Sequence, residues 1–338
     1  MTLATEPVAC GLCGSLDREP YVILVDRMLP GDGRTYRLVR CRHCGLLTLD
    51  PRPTADDLAH AYPDDYTPFA RRGFSARVKS RLIQRTVAEL WPLLRPPARV
   101  LDLGCATGEL LDAIRARGNP SVVGVEPSPA AARVAHDERG LDVHQGTLES
   151  AALPADSVDV ALLSHVLEHL PSPNDTLREL ARVLRPNGTL VLWLPNADSL
   201  AARVLRERWM GYDAPRHLHT FSVSTLSASL ERAGFGVLDV RHEWIGLEWS
   251  WGLRYWVRDR WASERADRWL ARLHPLMTAA LTPVAAGAAA VRHGGRIQVI
   301  ARAPAEAPDQ AAAGSSSSLA TTAAAASASR ASLRSPNR

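Results

Sequence analysis

Lysine is almost absent: of 40 basic residues only Lys79 is a lysine, the rest being arginine. With heavy alanine use, this reads as codon bias in a GC-rich genome. A dominant charge sign is also missing, since 40 basic and 36 acidic residues leave a formal net charge of +4. That mild, dispersed excess is not the footprint of an obligate nucleic-acid binder. Five cysteines in 338 residues exclude a disulfide-dense secreted scaffold. The longest apolar run, Leu276 to Val291, falls short of the ~20 residues of a spanning helix and contains Pro283, so a buried or interfacial helix is expected there. Met1 to Cys10 has neither a basic start nor an apolar run, so no signal peptide is read. The cytoplasm is the expected compartment, and four of the five cysteines then need a reason other than disulfides.

What is present is ordinary globular composition, 46% hydrophobic and 22% charged, over a length that allows about two domains. Residues 1–70 carry both cysteine pairs and many turn residues. Residues 76–303 alternate short aliphatic runs with helical patterns, interrupted at 244–294 by a stretch rich in tryptophan, arginine and alanine. Residues 304–338 are Ala/Ser low complexity containing "GSSSS", and disorder is expected there.

The middle segment reads strand, helix, strand, helix. "ARVLDLG" (98–104), "SVVGVE" (121–126), "LDVHQG" (141–146), "SVDVALLS" (157–164) and "TLVLWLPN" (189–196) are expected strands. "ELLDAIRARG", "SPAAARVAHDERG", "SPNDTLRELARVLRPNG" and "FSVSTLSASLERAGF" are expected helices, the second with Ser128 as N-cap and Pro129 at its first position. "GVLDVRHEW" and "RIQVIARA" (296–303) supply two further strands. Aliphatic strands without polar alternation imply an α/β sheet covered on both faces.

The first strand–turn–helix unit carries Asp102-Leu103-Gly104-Cys105-Ala106-Thr107-Gly108, and Glu126-Pro127 ends the next strand. In a doubly wound sheet that turn lies where ligands bind, and a carboxylate there suits a ribose diol. The dinucleotide fingerprint would need glycines at 106 and 109, where the chain has Ala106 and Glu109. Glu109 would set negative charge where a pyrophosphate sits. A ligand with adenosine but no phosphates fits better, and S-adenosylmethionine is such a ligand. A tight turn without a ligand is the plain alternative.

"VLDLGCATGELL", "VVGVEPS", "ALLSHVLEHLPSP" and "VLRPNGTLVLWLPN", in that order and spacing, resemble the successive motifs of class I S-adenosylmethionine-dependent methyltransferases. The resemblance covers roughly 76–243 and the last strand. It implies a seven-stranded Rossmann-like sheet whose last strand is antiparallel and inserted beside the fifth. It also implies that Asp102, Gly104 and Gly108 shape the methionine pocket, with Cys105, Ala106 and Thr107 in the same loop. Glu126 would take the ribose hydroxyls, with Pro127 beside it, and Ser164 and His165 would form the lip after strand four. Family members often have an aspartate near the adenine amino group; here "HQGTLES" offers Thr147 and Leu148.

Cys10-x-x-Cys13 and Cys41-x-x-Cys44 are separated by 27 residues, and each second cysteine precedes a glycine. Two such knuckles give a closed tetrahedron of thiolates, the arrangement of structural Zn2+. A rubredoxin-type iron, or four reduced thiols, stay open. The segment between them reads as a β-hairpin turning at Pro30-Gly31-Asp32-Gly33. "CRHCGLLTLDPRP" leading into "AYPDDY" also resembles the zinc region attached to some bacterial small-molecule methyltransferases, including ones acting on sugars.

His165-Val-Leu-Glu168-His169 spells H-x-x-E-H, a zinc-peptidase signature, but it follows a buried strand of a nucleotide-type sheet. A Glu168–His169 hydrogen bond supporting the pocket is expected instead. Asp213-Ala-Pro-Arg216-His217-Leu-His219 lies before the helix at Ser222, at the end of the sheet where acceptors bind. A histidine can take a proton from an acceptor hydroxyl. His217 is the first candidate base and His169 the second; bracing of the helix by His217 and His219 is the alternative. The expected function is methyl transfer to a small-molecule acceptor of sugar, lipid-linked or secondary-metabolite type, without nucleic acid. An RNA methyltransferase using the ribbon, and a non-catalytic binding protein, are the rivals. Trp244, Trp249, Trp251, Trp256, Trp261 and Trp269 are expected to pack on the sheet and serve partly as a lid, and a peripheral membrane contact through 244–294 stays open.

Overall fold

The computed structural model describes residues 5–28, 34–54, 58, 61–62, 74–261 and 264–305. The hairpin turn expected at 30–33 and all but the first two residues of the Ala/Ser tail lie outside them.

The chain opens with β1 (Thr5–Glu6), β2 (Arg18–Val25), β3 (Thr35–Cys41), β4 (Leu47–Leu49) and β5 (Arg52–Pro53). The hairpin read between the cysteine pairs is β2 against β3, antiparallel. Then follow α1 (Phe74–Leu94), β6 (Val100–Leu103), α2 (Glu109–Ala116), β7 (Val122–Glu126), α3 (Pro129–Arg133), β8 (Val143–Gln145) and β9 (Val158–Ser164). The second half contains α4 (Pro173–Val183), β10 (Leu184–Pro195), α5 (Leu200–Leu205), β11 (His219–Thr220), α6 (Val223–Arg232), β12 (Gly236–His242), α7 (Leu247–Trp261), α8 (Glu264–Ala290) and β13 (Arg296–Arg302).

Seven strands form one sheet in the order β12-β13-β10-β9-β6-β7-β8. The pairs β10–β9, β9–β6, β6–β7 and β7–β8 are parallel, while β13 runs antiparallel to both β10 and β12. This is the seven-stranded Rossmann-like sheet, with the last strand inserted beside the fifth. Successive side chains of the central strands feed two cores. Leu101, Leu103, Val123, Val125, Ala161 and Leu163 pack on one side. Val100, Val122, Val160 and Leu162 pack on the other, against Val87, Leu90 and Leu94 of α1 and Leu111 and Ile114 of α2. Both faces are covered, which is why these strands lack polar alternation.

Two helix assignments change. α4 ends at Val183, not at the Pro-Asn-Gly that follows. Leu184 already pairs with Val158, and the register shifts before Thr189 pairs with Val160, so Arg185–Gly188 is a bulge inside β10. The segment after Ser128 is α-helical only to Arg133 and continues through Val134–Glu138 as a wider turn. Ser128 does accept the Ala131 N–H, at 3.3 Å.

The described amino-terminal strands are not a detached unit. β2, β3 and β4 form a sheet completed by β11, with His219 opposite Thr48 and Thr220 opposite Leu47. Cys10, Leu12, Cys41 and Leu46 belong to the same buried cluster as the β6 and β7 side chains. Asn174, in the first turn of α4, donates to the Gly11 carbonyl at 2.6 Å.

Gly124 in β7 has no room for a side chain: a Cβ there would meet Cys105 Sγ at 2.6 Å and Leu111 Cδ1 and Val143 Cγ2 at 3.1 Å. Gly124→Ala should cost about 1–3 kcal/mol by overpacking. Denaturant unfolding measures it, and adding Cys105→Ala should recover part of the loss.

Candidate active site

The bend after β6 is built from left-handed backbone: φ is 74° at Gly104, 48° at Ala106 and 76° at Gly108. Gly104 is needed twice over, because a Cβ there would also meet Val166 Cγ2 at 2.5 Å. Val166 follows β9, so this contact joins the turn after β9 to the bend after β6. At the end of β7, Glu126 Oε2 accepts the Ala106 N–H and Oε1 accepts the Ser128 N–H, each at 2.8 Å. The carboxylate is therefore fixed in orientation and holds the bend to the neighbouring strand.

Burial pushes the Asp102 carboxyl up to about 8, helped by the nearby Glu126 charge. Burial also raises Glu126, against the pull of its two N–H donors. Cys105 is raised by burial and by both carboxyls, so it is a buried thiol packed against Gly124 rather than a nucleophile. Thr107 lends its carbonyl to Arg139 Nε at 2.7 Å. Pro127 is exposed beside Glu126, and Ser164 is exposed at the end of β9. Thr147 is exposed, its hydroxyl accepting the Ser150 N–H, whereas Leu148 is fully buried in the core. Leu148 thus offers the ligand no side-chain surface.

The H-x-x-E-H segment is not one helix face. His165 has φ 57° and only Leu167–His169 form a single tight turn. The expected Glu168–His169 hydrogen bond is replaced: Glu168 Oε1 lies 3.1 Å from His165 Nδ1. His169 Nδ1 faces the Tyr62 hydroxyl at 2.7 Å and the Arg216 carbonyl at 3.1 Å. Its ring stands edge-on to His217, centroids 4.5 Å apart. His217 Nδ1 lies 2.7 Å from the Gly211 carbonyl. His217 and His169, the two candidate bases, are thus brought together. His219 is not; it sits in the amino-terminal sheet, 3.3 Å from the Thr48 hydroxyl. Neither histidine caps α6, whose N-terminus is closed by a Ser222–Thr225 capping box.

Arg216, completely buried, anchors this loop. Its guanidinium binds Asp213 at 2.8 and 3.0 Å and Asp26 at 2.7 and 2.9 Å. Burial would raise Asp213, but Arg216 holds it below the usual carboxylate range. Burial would raise Glu168 too, yet the His165 bond and the surrounding imidazoles hold it down, to about 2. Burial, and then the neighbouring His217, lowers His169 to about 4. Tyr62 and Asp26 escaped the sequence reading because their partners lie more than a hundred residues away and no local spacing marks them, whereas the Arg216–Asp213 pair, three residues apart, lies inside the histidine motif.

The four cysteine sulfurs lie within 4.8 Å of one another, with Cys10–Cys44 at 3.4 Å and Cys13–Cys41 at 3.5 Å. Gly14 (φ 74°) and Gly45 (φ 83°) close the knuckles through N–H bonds to the Cys10 and Cys41 carbonyls. Burial would raise Cys41, but the Cys44 and His43 amides prevail and lower it to about 7. The donor set fits a closed tetrahedral metal.

The tryptophan-rich stretch differs from expectation. Trp244, Trp256, Trp261 and Trp269 are about half exposed, not packed on the sheet. Trp209, outside that stretch, is buried, donating to Glu248 at 2.7 Å. α8 continues through Pro275 and Pro283, and its 22 residues from Trp269 to Ala290 are long and apolar enough to cross a membrane by length and composition, with 17% of the apolar window buried.

A doubly wound sheet with a left-handed, glycine-bearing bend after its first strand defines a Rossmann-like α/β protein. Residues 74–240 match the model of a family described as "Methyltransferase domain". The ubiquinone biosynthesis O-methyltransferase of Azorhizobium caulinodans is 31% identical over 176 residues, 49% of this chain and 68% of the relative. A mitochondrial enzyme of the same name from Schizosaccharomyces pombe is 32% identical over 42% of this chain and 57% of the relative. A solved SAM-dependent methyltransferase from Archaeoglobus fulgidus is 20% identical, covers 66% of this chain and 94% of its own, and superposes with a TM-score of 0.46. The chain belongs to the class I S-adenosylmethionine-dependent methyltransferase family.

Asp102 sets a pH test. Its native pKa of about 8 lies above the ~3.9 of an unfolded aspartate, so between these values the native state holds more protons. Stability contributed there falls as pH rises. Cofactor-free protein should therefore unfold at lower denaturant at pH 8 than at pH 5, and Asp102→Asn should flatten that fall.

Proposed function

We propose that the chain transfers the methyl group of S-adenosylmethionine to a small-molecule acceptor carrying a removable proton, most simply a hydroxyl. The observation that carries the reading is the bend at 104–108 locked to Glu126. Its glycines let backbone approach a ligand closely, and the oriented Glu126 carboxylate keeps lone pairs for a ribose diol. Asp102, Gly104, Cys105, Ala106, Thr107 and Gly108 would surround the methionine part, with Pro127, Thr147, Ser164 and His165 at the rim. The family relation supports the cofactor, and the relatives named as O-methyltransferases support oxygen as the acceptor atom.

When bound, the cofactor supplies an electrophilic methyl on a sulfonium. The protein's own task is to align the acceptor and exclude water. In this reading His217, with His169 second, accepts the acceptor's proton at Nε2, because Nδ1 of each ring faces a backbone carbonyl. The four cysteines would hold a structural Zn2+, suited to a reducing cytoplasm. The exposed tryptophans of α7 and α8 would meet an apolar acceptor or a membrane surface.

Glu126→Ala should weaken S-adenosylmethionine binding by about 1–3 kcal/mol in titration calorimetry. Because Glu126 also holds Ala106, Glu126→Gln is the control for fold. Unchanged affinity in both variants would remove Glu126 from the cofactor site.

A further inference from the structure

We propose that Glu168, His169 and His217 form a second metal site, distinct from the four cysteines, for a divalent transition-metal ion. One donor atom from each lies within 4.8 Å of the other two. Tetrahedral ligands at ~2.1 Å from an ion are about 3.4 Å apart, so small side-chain rotations close the set.

Two independent features point to an ion, and a third supports the second. First, Glu168 is 1% exposed and its Oε2 has no hydrogen-bond partner, while its one ion-pair contact among the described residues is His165 on Oε1. A buried carboxylate oxygen left unpaired is costly. Second, both imidazoles are anchored through Nδ1. The Gly211 carbonyl can only accept, so His217 Nδ1 carries a proton and its Nε2 keeps its lone pair; His169 Nδ1 lies between the Arg216 carbonyl and the Tyr62 hydroxyl, and the tautomer that donates to the carbonyl leaves the Nε2 lone pair for an ion. That is the outer-sphere arrangement found behind metal-ligating histidines. Third, the anchors are rigid: the Arg216 carbonyl belongs to the residue clamped by Asp26 and Asp213, and Tyr62 adds a contact to the same His169 nitrogen.

Two imidazoles and one carboxylate favour Zn2+, Co2+, Mn2+ or Fe2+ over Mg2+ or Ca2+. Three protein ligands leave a coordination position open, unlike the four-cysteine site. Val166, against the face of Gly104, puts this turn next to the bend after β6. An acceptor hydroxyl in the open position would be acidified and release its proton to water. That last consequence rests on the methyl-transfer reading; ion binding does not. The ion would also use the lone pairs assigned above to a base, so the two roles are alternatives for the same nitrogens.

The test is cobalt titration of the full chain carrying one zinc per molecule. The expected result is one further equivalent of Co2+, with weak visible ligand-field bands and no intense near-ultraviolet thiolate charge transfer. Glu168→Gln and His217→Ala should each lose that equivalent while retaining the zinc. Binding of one metal per chain in total, or cobalt bands accompanied only by thiolate charge transfer, overturns the proposal. If a variant does not fold, the wild-type stoichiometry and spectrum still decide. Calorimetry with S-adenosylmethionine, run with and without the second ion, reports separately on the methyl-transfer reading.

Discussion

The contact on which the site depends most is the buried guanidinium of Arg216 between Asp26 and Asp213. One charge holds two carboxylates, one from its own loop and one from the far end of the amino-terminal hairpin. Removing one member of such a buried set typically costs about 3–5 kcal/mol, because the others remain desolvated and unpaired. The backbone carbonyl of the same residue meets His169, and the next residue is His217. The clamp therefore fixes the ring geometry between β9 and β11, and it does so only with the first part of the chain in place.

Two carboxyl pairs face opposite electrostatic conditions. Asp102 and Glu126 are buried and are pushed towards their neutral forms. Glu168 and Asp213 lie beside histidines and an arginine and are held ionised. The first pair is a place where a positively charged ligand gains by restoring charge to its hosts, in keeping with the sulfonium proposed there. The second is already organised by protein donors, apart from the one bare oxygen of Glu168.

The sheet was legible in the sequence because its central strands are mostly aliphatic, with Gly104 just after β6 and Glu126 closing β7. The bend at 104–108 was legible from residue types, and the cysteine knuckles from their spacing. Local pattern failed where pairing overrode it. "LRPNG" has the look of a helix stop but bulges within β10, since Leu184 already meets Val158. H-x-x-E-H has the i, i+4 spacing of one helix face, yet the positive φ of His165 splits it and reassigns the partner of Glu168. Tyr62 and Asp26 could not be read at all, because their importance arises from contacts across the whole fold. The tryptophans misled for another reason: their size suggests a core, but four of them stay half exposed, Trp244 just before α7 and the other three on α7 and α8.

Two residues, His219 and Thr220, serve as edge strand for a sheet whose other three members come from before residue 50. Such a shared strand makes the amino-terminal piece a poor candidate for modular exchange. Transplanted onto another catalytic domain, it would leave β4 with an open hydrogen-bonding edge unless the recipient already owned a matching segment at the same place. Recombination could shuffle these two parts only as a matched pair.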